Sequence, residues 1–332
     1  MIPRRILVIQ TAFIGDVILA TALLENLHQG LPDAKIDFLV RKGNEGLFEN
    51  HPYLKNVLIW KKKEGKFKSL WQLLKQIRKS EYDWVINLQR FGGTGMLTAF
   101  SKAPRTTGFD KNPFSFLFTN KFPHRIENGV HEVTRNYELV KNEIQGALCK
   151  PRLYPTSDDY SFVKPYQSKP YICIAPASVW FTKQYPAEGW VKLINEMGSH
   201  YTIFLLGGPG DNTLAENIIT QISHQENVQN LCGKLSFLQS AALMKSAVMN
   251  FVNDSAPMHI SSAVNAPVTA VYCSTVPEFG FGPLSDESHV VEVLEKLDCR
   301  PCGLHGKKAC PQGHFKCALD IKTEQFLEVL PR

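Results

Sequence analysis

Ala247-Val248-Met249-Asn250-Phe251-Val252-Asn253-Asp254-Ser255-Ala256-Pro257-Met258-His259 is the stretch that decides how this chain folds. Its first six residues are mostly apolar and short enough for a buried strand, and the small residues of 260–264 read as a helix. A strand that empties through polar residues into a helix sets backbone N–H groups, a hydroxyl and a carboxylate at the C-terminal edge of a parallel sheet. Open α/β sheets bind nucleotides at that edge, and a helix N-terminus attracts phosphate. Asp254 and Ser255 are also good capping types, so this stretch alone fits a phosphate site and a plain helix cap equally well.

Working outward, strands are expected over 171–176, 201–206, 228–232 and 267–272. Helices are expected over 187–197, 214–222, 236–244 and 323–329. The first half repeats the alternation, with strands over 5–10, 35–40, 57–60 and 82–88, a strand and turn at 105–108, and helices over 17–27, 69–79 and 131–142. Between them, Pro151, Pro155, Pro165 and Pro170 break any period. The reading is therefore α/β, with two doubly wound parallel-sheet domains over 1–155 and 156–332.

Composition narrows the function. The 332 residues are 44% hydrophobic and 20% charged, as in an ordinary soluble globular protein, and long enough for two domains. A net charge of +6 is too small to argue for nucleic acid; it fits anionic substrates, an anionic membrane surface or a basic solvated surface alike. Arg4-Arg5 and the apolar residues after them resemble a signal peptide, but Gln10, Thr11 and Asp16 interrupt the apolar run, so export is not expected. No run of about 18 apolar residues is present, so no membrane-spanning helix is expected either. Five lysines between Lys61 and Lys68 read as a solvated loop or as a contact for an anionic acceptor or lipid headgroups.

In the second half, three strand ends bring a phosphate and nucleoside kit: the Thr182-Lys183 loop, the turn at 207–211 with Gly208 and Asp211, and the 254–259 element. In the first half, the turn 11–16 has a single glycine, Gly15, where a dinucleotide fingerprint needs three, which disfavours a nicotinamide dehydrogenase. That turn presents Asp16, either as a base or as a first-turn acid favoured by the helix dipole. Arg90 follows a strand end beside glycines, and His131 opens a helix.

Cys149, Cys173, Cys232 and Cys273 stand among apolar neighbours as buried thiols. Cys299, Cys302, Cys310 and Cys317 crowd the tail 299–317, with His305 and His314 between them. This pattern reads as a structural zinc site, as redox-sensitive thiols or as four buried thiols, and its polar, glycine-bearing surroundings favour metal.

Ile14-Gly15-Asp16-Val17, Asn87-Leu88-Gln89-Arg90, Gly108-Phe109, His131-Glu132, Pro176-Ala177-Ser178, Lys183-Gln184-Tyr185-Pro186, Leu206-Gly207-Gly208-Pro209 and 253–259 occur in one order. In that order and spacing the chain resembles the lipopolysaccharide heptosyltransferases, glycosyltransferase family 9. The resemblance implies the GT-B arrangement, two facing Rossmann-like domains with a cleft. It implies an inverting transfer from ADP-heptose to the lipopolysaccharide inner core, a Kdo-lipid A or heptosyl acceptor, at the cytoplasmic face of the inner membrane. The enzyme would be peripheral there, with no nucleic acid involved. Asp16 would be the general base, and Lys183 with Thr182 would stabilise the departing diphosphate. Ser255 and Ala256 would bind phosphate through backbone N–H groups. Asp254 and His259 would line the sugar and phosphate, with Gly208 and Asp211 also on the donor side. Gln89, Arg90 and His131 would fall to the acceptor. No cofactor is implied for catalysis, and some members carry a similar cysteine-rich tail. The sequence departs from the family at Ala256, where glycine is usual, and at Gln10, where arginine is common. The competing readings are a sugar-nucleotide epimerase and a non-catalytic sugar-nucleotide or glycan-binding protein on the same fold.

Overall fold

A computed structural model describes residues 2–126 and 129–331. The chain forms two compact units, the first ending at Tyr154 and the second beginning at Pro155.

The first unit contains β1 (Arg5–Ile9), α1 (Ile14–Gly30), β2 (Lys35–Arg41), β3 (Leu54–Trp60), α2 (Lys66–Ser80), β4 (Trp84–Asn87), α3 (Gly92–Ala99), β5 (Arg105–Phe109), β6 (Asn120–Phe122) and α4 (Glu132–Glu138). Its sheet is parallel, in the order β3-β2-β1-β4-β5-β6. The second unit contains α5 (Ser157–Val163), β7 (Tyr171–Ala175), α6 (Ala187–Met197), β8 (Thr202–Leu205), α7 (Asn212–Ile219), β9 (Val228–Asn230), α8 (Phe237–Lys245), β10 (Met249–Asn253), α9 (Ala256–Ala263), β11 (Val268–Tyr272), β12 (Ser288–Glu292), α10 (Lys316–Leu319) and α11 (Glu324–Leu327). Its parallel sheet runs β12-β11-β10-β7-β8-β9. In chain order both are the doubly wound sheet expected from the sequence, with a switch point between β1 and β4 and another between β7 and β10.

The central strands β4, β7, β10 and β11 are buried at every position. This is why they read as continuous apolar blocks rather than alternating ones. In α1 every residue from Val17 to Leu27 is buried, because the helix lies under the closing segment of its own unit. Asn26 Nδ2 donates to the Ala147 carbonyl at 2.8 Å, and Arg152 N donates to Thr21 Oγ1 at 2.8 Å. In α2, by contrast, Leu70, Leu73, Leu74 and Ile77 enter the core at i, i+3, i+4 and i+7, leaving the outer face to solvent.

Some elements differ from the sequence reading. The glycine-bearing 92–99 forms α3, packed against β4, because tertiary contacts outweigh weak helix propensity. A capping box between Thr156 and Asp159 builds α5 inside the proline-broken region. The three-residue β6 and the half-buried β12 are edge strands whose patterns are too short or too exposed to stand out. Among the described residues, no helix is long and apolar enough to cross a membrane.

Candidate functional site

In the second unit β10 delivers Asn253 to the sheet edge. Its buried side chain accepts from Tyr185 N at 2.9 Å and donates to the Pro176 carbonyl at 2.7 Å. One amide thus ties both ends of the 176–185 loop to the start of the α9 turn. Asp254 follows, also buried. Its Oδ2 accepts from Thr275 Oγ1 at 2.6 Å and lies 2.6 Å from Lys183 Nζ. The loop lysine and the carboxylate are therefore ion-paired. An ammonium has three N–H donors, so two remain for another anion when Asp254 takes one.

Ser255 is the N-cap residue of α9, with extended backbone, yet its side chain makes no cap hydrogen bond; Oγ donates instead to the Asn253 carbonyl at 3.3 Å. A plain helix-cap reading of Asp254 and Ser255 thus does not describe their side chains. Ala256 and Pro257 begin the helix half-buried, and His259 is buried within it.

The Thr182 side chain is turned inward. Its Oγ1 accepts from Lys307 N at 2.8 Å and from Ser274 Oγ at 3.0 Å, while its backbone N–H donates to the Lys307 carbonyl at 3.1 Å. These bonds fasten the lysine loop to the tail. A Cβ on Gly306 would fall 2.5 Å from Trp180 Cβ and 2.6 Å from Lys183 Cγ, so the tail passes the lysine stem at a distance only glycine permits. Arg300 holds the same region from below: Nε donates to the Cys273 carbonyl at 2.7 Å, and Nη2 to the carbonyls of Tyr272 and Thr275 at 3.2 and 2.9 Å. Arg300 also pairs with Glu292 at 2.5 Å. The turn after β8 is set by Asp211, which accepts from Gly208 N at 2.7 Å; a Cβ on Gly207 would meet Asp211 Cβ at 2.8 Å. The Asp211 carboxylate therefore shapes its own turn.

This packing corrects the zinc expectation for the tail. Among the described residues no three of His, Cys, Asp and Glu group as a metal site. All four tail cysteines are free thiols, and Cys317 is buried in the core with Phe315 and Phe326. Burial pushes its thiol up to about 11. Cys302 Sγ donates to the Cys299 carbonyl at 3.3 Å, and Cys299 Sγ lies 3.9 Å from His314 Nε2. The tail's observed contacts instead brace the Lys183 loop.

In the first unit Asp16 stands half-buried in the first turn of α1. The preceding turn is anchored by Gln10, whose Oε1 accepts from Ala12 N at 3.2 Å and from Gln89 Nε2. Gln89 is buried and also accepts from Thr11 Oγ1 at 3.3 Å. Its amide joins the ends of β1 and β4 across the switch point. His131 is the N-cap of α4, with Nδ1 accepting from Val133 N at 3.2 Å.

Glu132, beside it, belongs to the His131-Glu132 motif but carries no role in the sequence reading. It is buried and bonded to Arg135 Nε at 2.9 Å. Burial pushes its carboxyl up to about 7, Asp16 adds to the rise, and Arg135 and Arg90 oppose it. Buried His124 is driven down to about 4 by burial and then by Arg90, Lys111 and Arg135. The edge around Asp16 thus joins acids to a surplus of cations. Nothing in the spacing of His124 and Arg135 marks them: the packing of α4 on α1 brings Glu132 and Arg135 to this edge, and His124, just after β6, is held there by its backbone N–H donating to Asp110 at 3.0 Å.

A family model described as glycosyltransferase family 9 (heptosyltransferase) matches residues 70–311. The lipooligosaccharide heptosyltransferase 2 of Haemophilus influenzae is 22% identical to this chain over 356 residues, covering 98% of each. Among solved structures, a glycosyl transferase family 9 protein from Veillonella parvula is similar with a TM-score of 0.83 at 23% identity, covering 98% of this chain and 96% of its own. The ADP-heptose LPS heptosyltransferase II of E. coli is similar with a TM-score of 0.81 at 20% identity, covering 98% of this chain and 97% of its own. At these identities the structural likeness is one of fold.

Proposed function

The chain belongs to glycosyltransferase family 9, and from that premise we propose that it transfers a heptose, with inversion, from ADP-heptose to a lipopolysaccharide inner core. The acceptor is a Kdo-lipid A or an already heptosylated core, met at the cytoplasmic face of the inner membrane by a peripheral enzyme. The second unit holds the donor and the first holds the acceptor.

The observation that carries this reading is Lys183 Nζ, 2.6 Å from Asp254 beside the first residues of α9. A cation and a helix N-terminus at one strand end suit a diphosphate. In the reaction, the acceptor oxygen bonds to the anomeric carbon as the bond from that carbon to the diphosphate oxygen breaks. Asp16 takes the proton from the attacking hydroxyl. Lys183 and the backbone N–H groups of Ser255 and Ala256 take up the charge developing on the departing ADP. Asp254 orients the lysine and, with His259, lines the sugar and phosphate region. Thr182, Gly208 and Asp211 shape the loops around the donor. Arg90, one of three cations with Lys111 and Arg135 that act on His124, suits the carboxylates or phosphates of an anionic acceptor. Gln89 and His131 hold the frame of that edge.

The test is a screen for ADP release with a panel of nucleotide sugars and core acceptors. Release with ADP-heptose and a lipopolysaccharide core supports the reading. Release that needs no acceptor, or a preference for another nucleotide, overturns it.

A further inference from the structure

Segment 61–79 carries eight lysines and arginines against one acid, Glu64, a net charge of +7; the whole chain carries +6, so the rest of the molecule together is −1. Glu64 is itself paired with Lys42 and Lys61. Helix α2, which forms most of this segment, contains no acidic residue. Its inner face is spoken for by Leu70, Leu73, Leu74 and Ile77 in the core. Its outer face carries Phe67, 77% exposed, and Trp71, 56% exposed. These are four positions apart and share one side of the helix. Lys68, Lys75 and Lys79, all exposed, flank them on that side. What sets this face apart is the pairing of two large exposed aromatic rings four positions apart with exposed cations, on a helix that has no acid.

We propose that the outer face of α2 docks the protein on an anionic phospholipid bilayer, with Phe67 and Trp71 entering the headgroup boundary and the lysines meeting lipid phosphates. Charge complementarity selects this occupant, because aromatic side chains anchor at membrane interfaces and lysines near an anionic surface add attraction. Placement within the first unit agrees. The lysine loop precedes α2 at the C-terminal end of β3, and Lys62 Nζ donates to the Thr11 carbonyl at 2.8 Å, beside the turn that holds Asp16. The docking face therefore begins at the edge proposed to receive the acceptor. Its purpose, though not its evidence, rests on the acceptor being a membrane glycolipid.

The test is co-sedimentation of the full chain with phosphatidylglycerol and with phosphatidylcholine vesicles. Binding to phosphatidylglycerol only, weakened by salt, is expected. Changing Lys68, Lys75 and Lys79 together to glutamine should lower the partition on the order of a hundredfold, at about a factor of five per lysine. Phe67→Ala with Trp71→Ala should lower it independently, with wild-type melting in both variants. Equal binding to both vesicles, partitioning unchanged by either variant, or a dimer dissolved by Trp71→Ala would overturn the inference. ADP release with a de-acylated, lipid-free core acceptor is read in parallel. Vesicle binding without transfer to any acceptor would sink the heptosyl-transfer reading alone, and transfer without vesicle binding would sink the docking face alone.

Discussion

Replacing Lys183 with alanine separates two tasks of one side chain. Lys183 and Asp254 are paired at 2.6 Å, with side chains only 16% and 9% exposed. Removing one member of a buried pair strands the other in a poorly hydrated site, which costs about 3–5 kcal/mol. Thr275 Oγ1 still donates to Asp254, so the lower end of that range is expected for Lys183→Ala. Neutralising the carboxylate as well, in Lys183→Ala with Asp254→Asn, should return much of this stability. It should not return activity, because the leaving diphosphate still lacks its cation. Loss of one such charge-stabilising group lowers kcat on the order of a hundredfold to a thousandfold. The assay is thermal or urea unfolding of the four members of the cycle beside ADP affinity and steady-state ADP release. Recovery of turnover together with stability in the double variant would show that pairing with Asp254 is the lysine's whole task. Unchanged melting, affinity and rate in the single variant would remove Lys183 from both roles.

Asp16→Asn should lower transfer by about a hundredfold or more while ADP affinity is retained, as expected for loss of a general base; near-normal turnover would take Asp16 out of the mechanism. Gly306→Ala should raise the dissociation constant for ADP, because the new methyl meets the Lys183 stem at 2.6 Å; calorimetry showing wild-type affinity would mean the tail does not set the loop. Glu132 is raised to about 7, first by burial, so its favourable effect on folding is full below its ordinary value near 4.5 and is lost as pH rises through about 7. Unfolding free energy should therefore fall between these pH values by at most about 3 kcal/mol, and Glu132→Gln should flatten that slope; an unchanged slope would place the titration elsewhere.

Much of this was legible in the residues. The buried strands announce themselves as apolar blocks because both faces of a parallel sheet are covered, and the ends of β7, β8 and β10 could be named because polar and glycine residues follow each block. The edge strands β6 and β12 left no comparable trace. Nor did α3, whose glycines suggest a loop until the packing around them is known. The tail misled, since a cluster of cysteines in sequence carries no information about which thiols the core will bury; Cys317 lies in the core.

The sequence by itself determined two doubly wound sheets and the edges where chemistry could gather, because hydrophobic period and turn chemistry are local properties. Only the tertiary structure decided which groups meet at those edges. Thr182 and Lys307 are 125 positions apart and share a hydrogen bond, Lys183 finds Asp254, and Glu132 comes within the field of Asp16 and Arg90. Partnership and the burial that shifts Glu132 and His124 depend on distances through space. Those distances exist only once the helices have packed on their sheets.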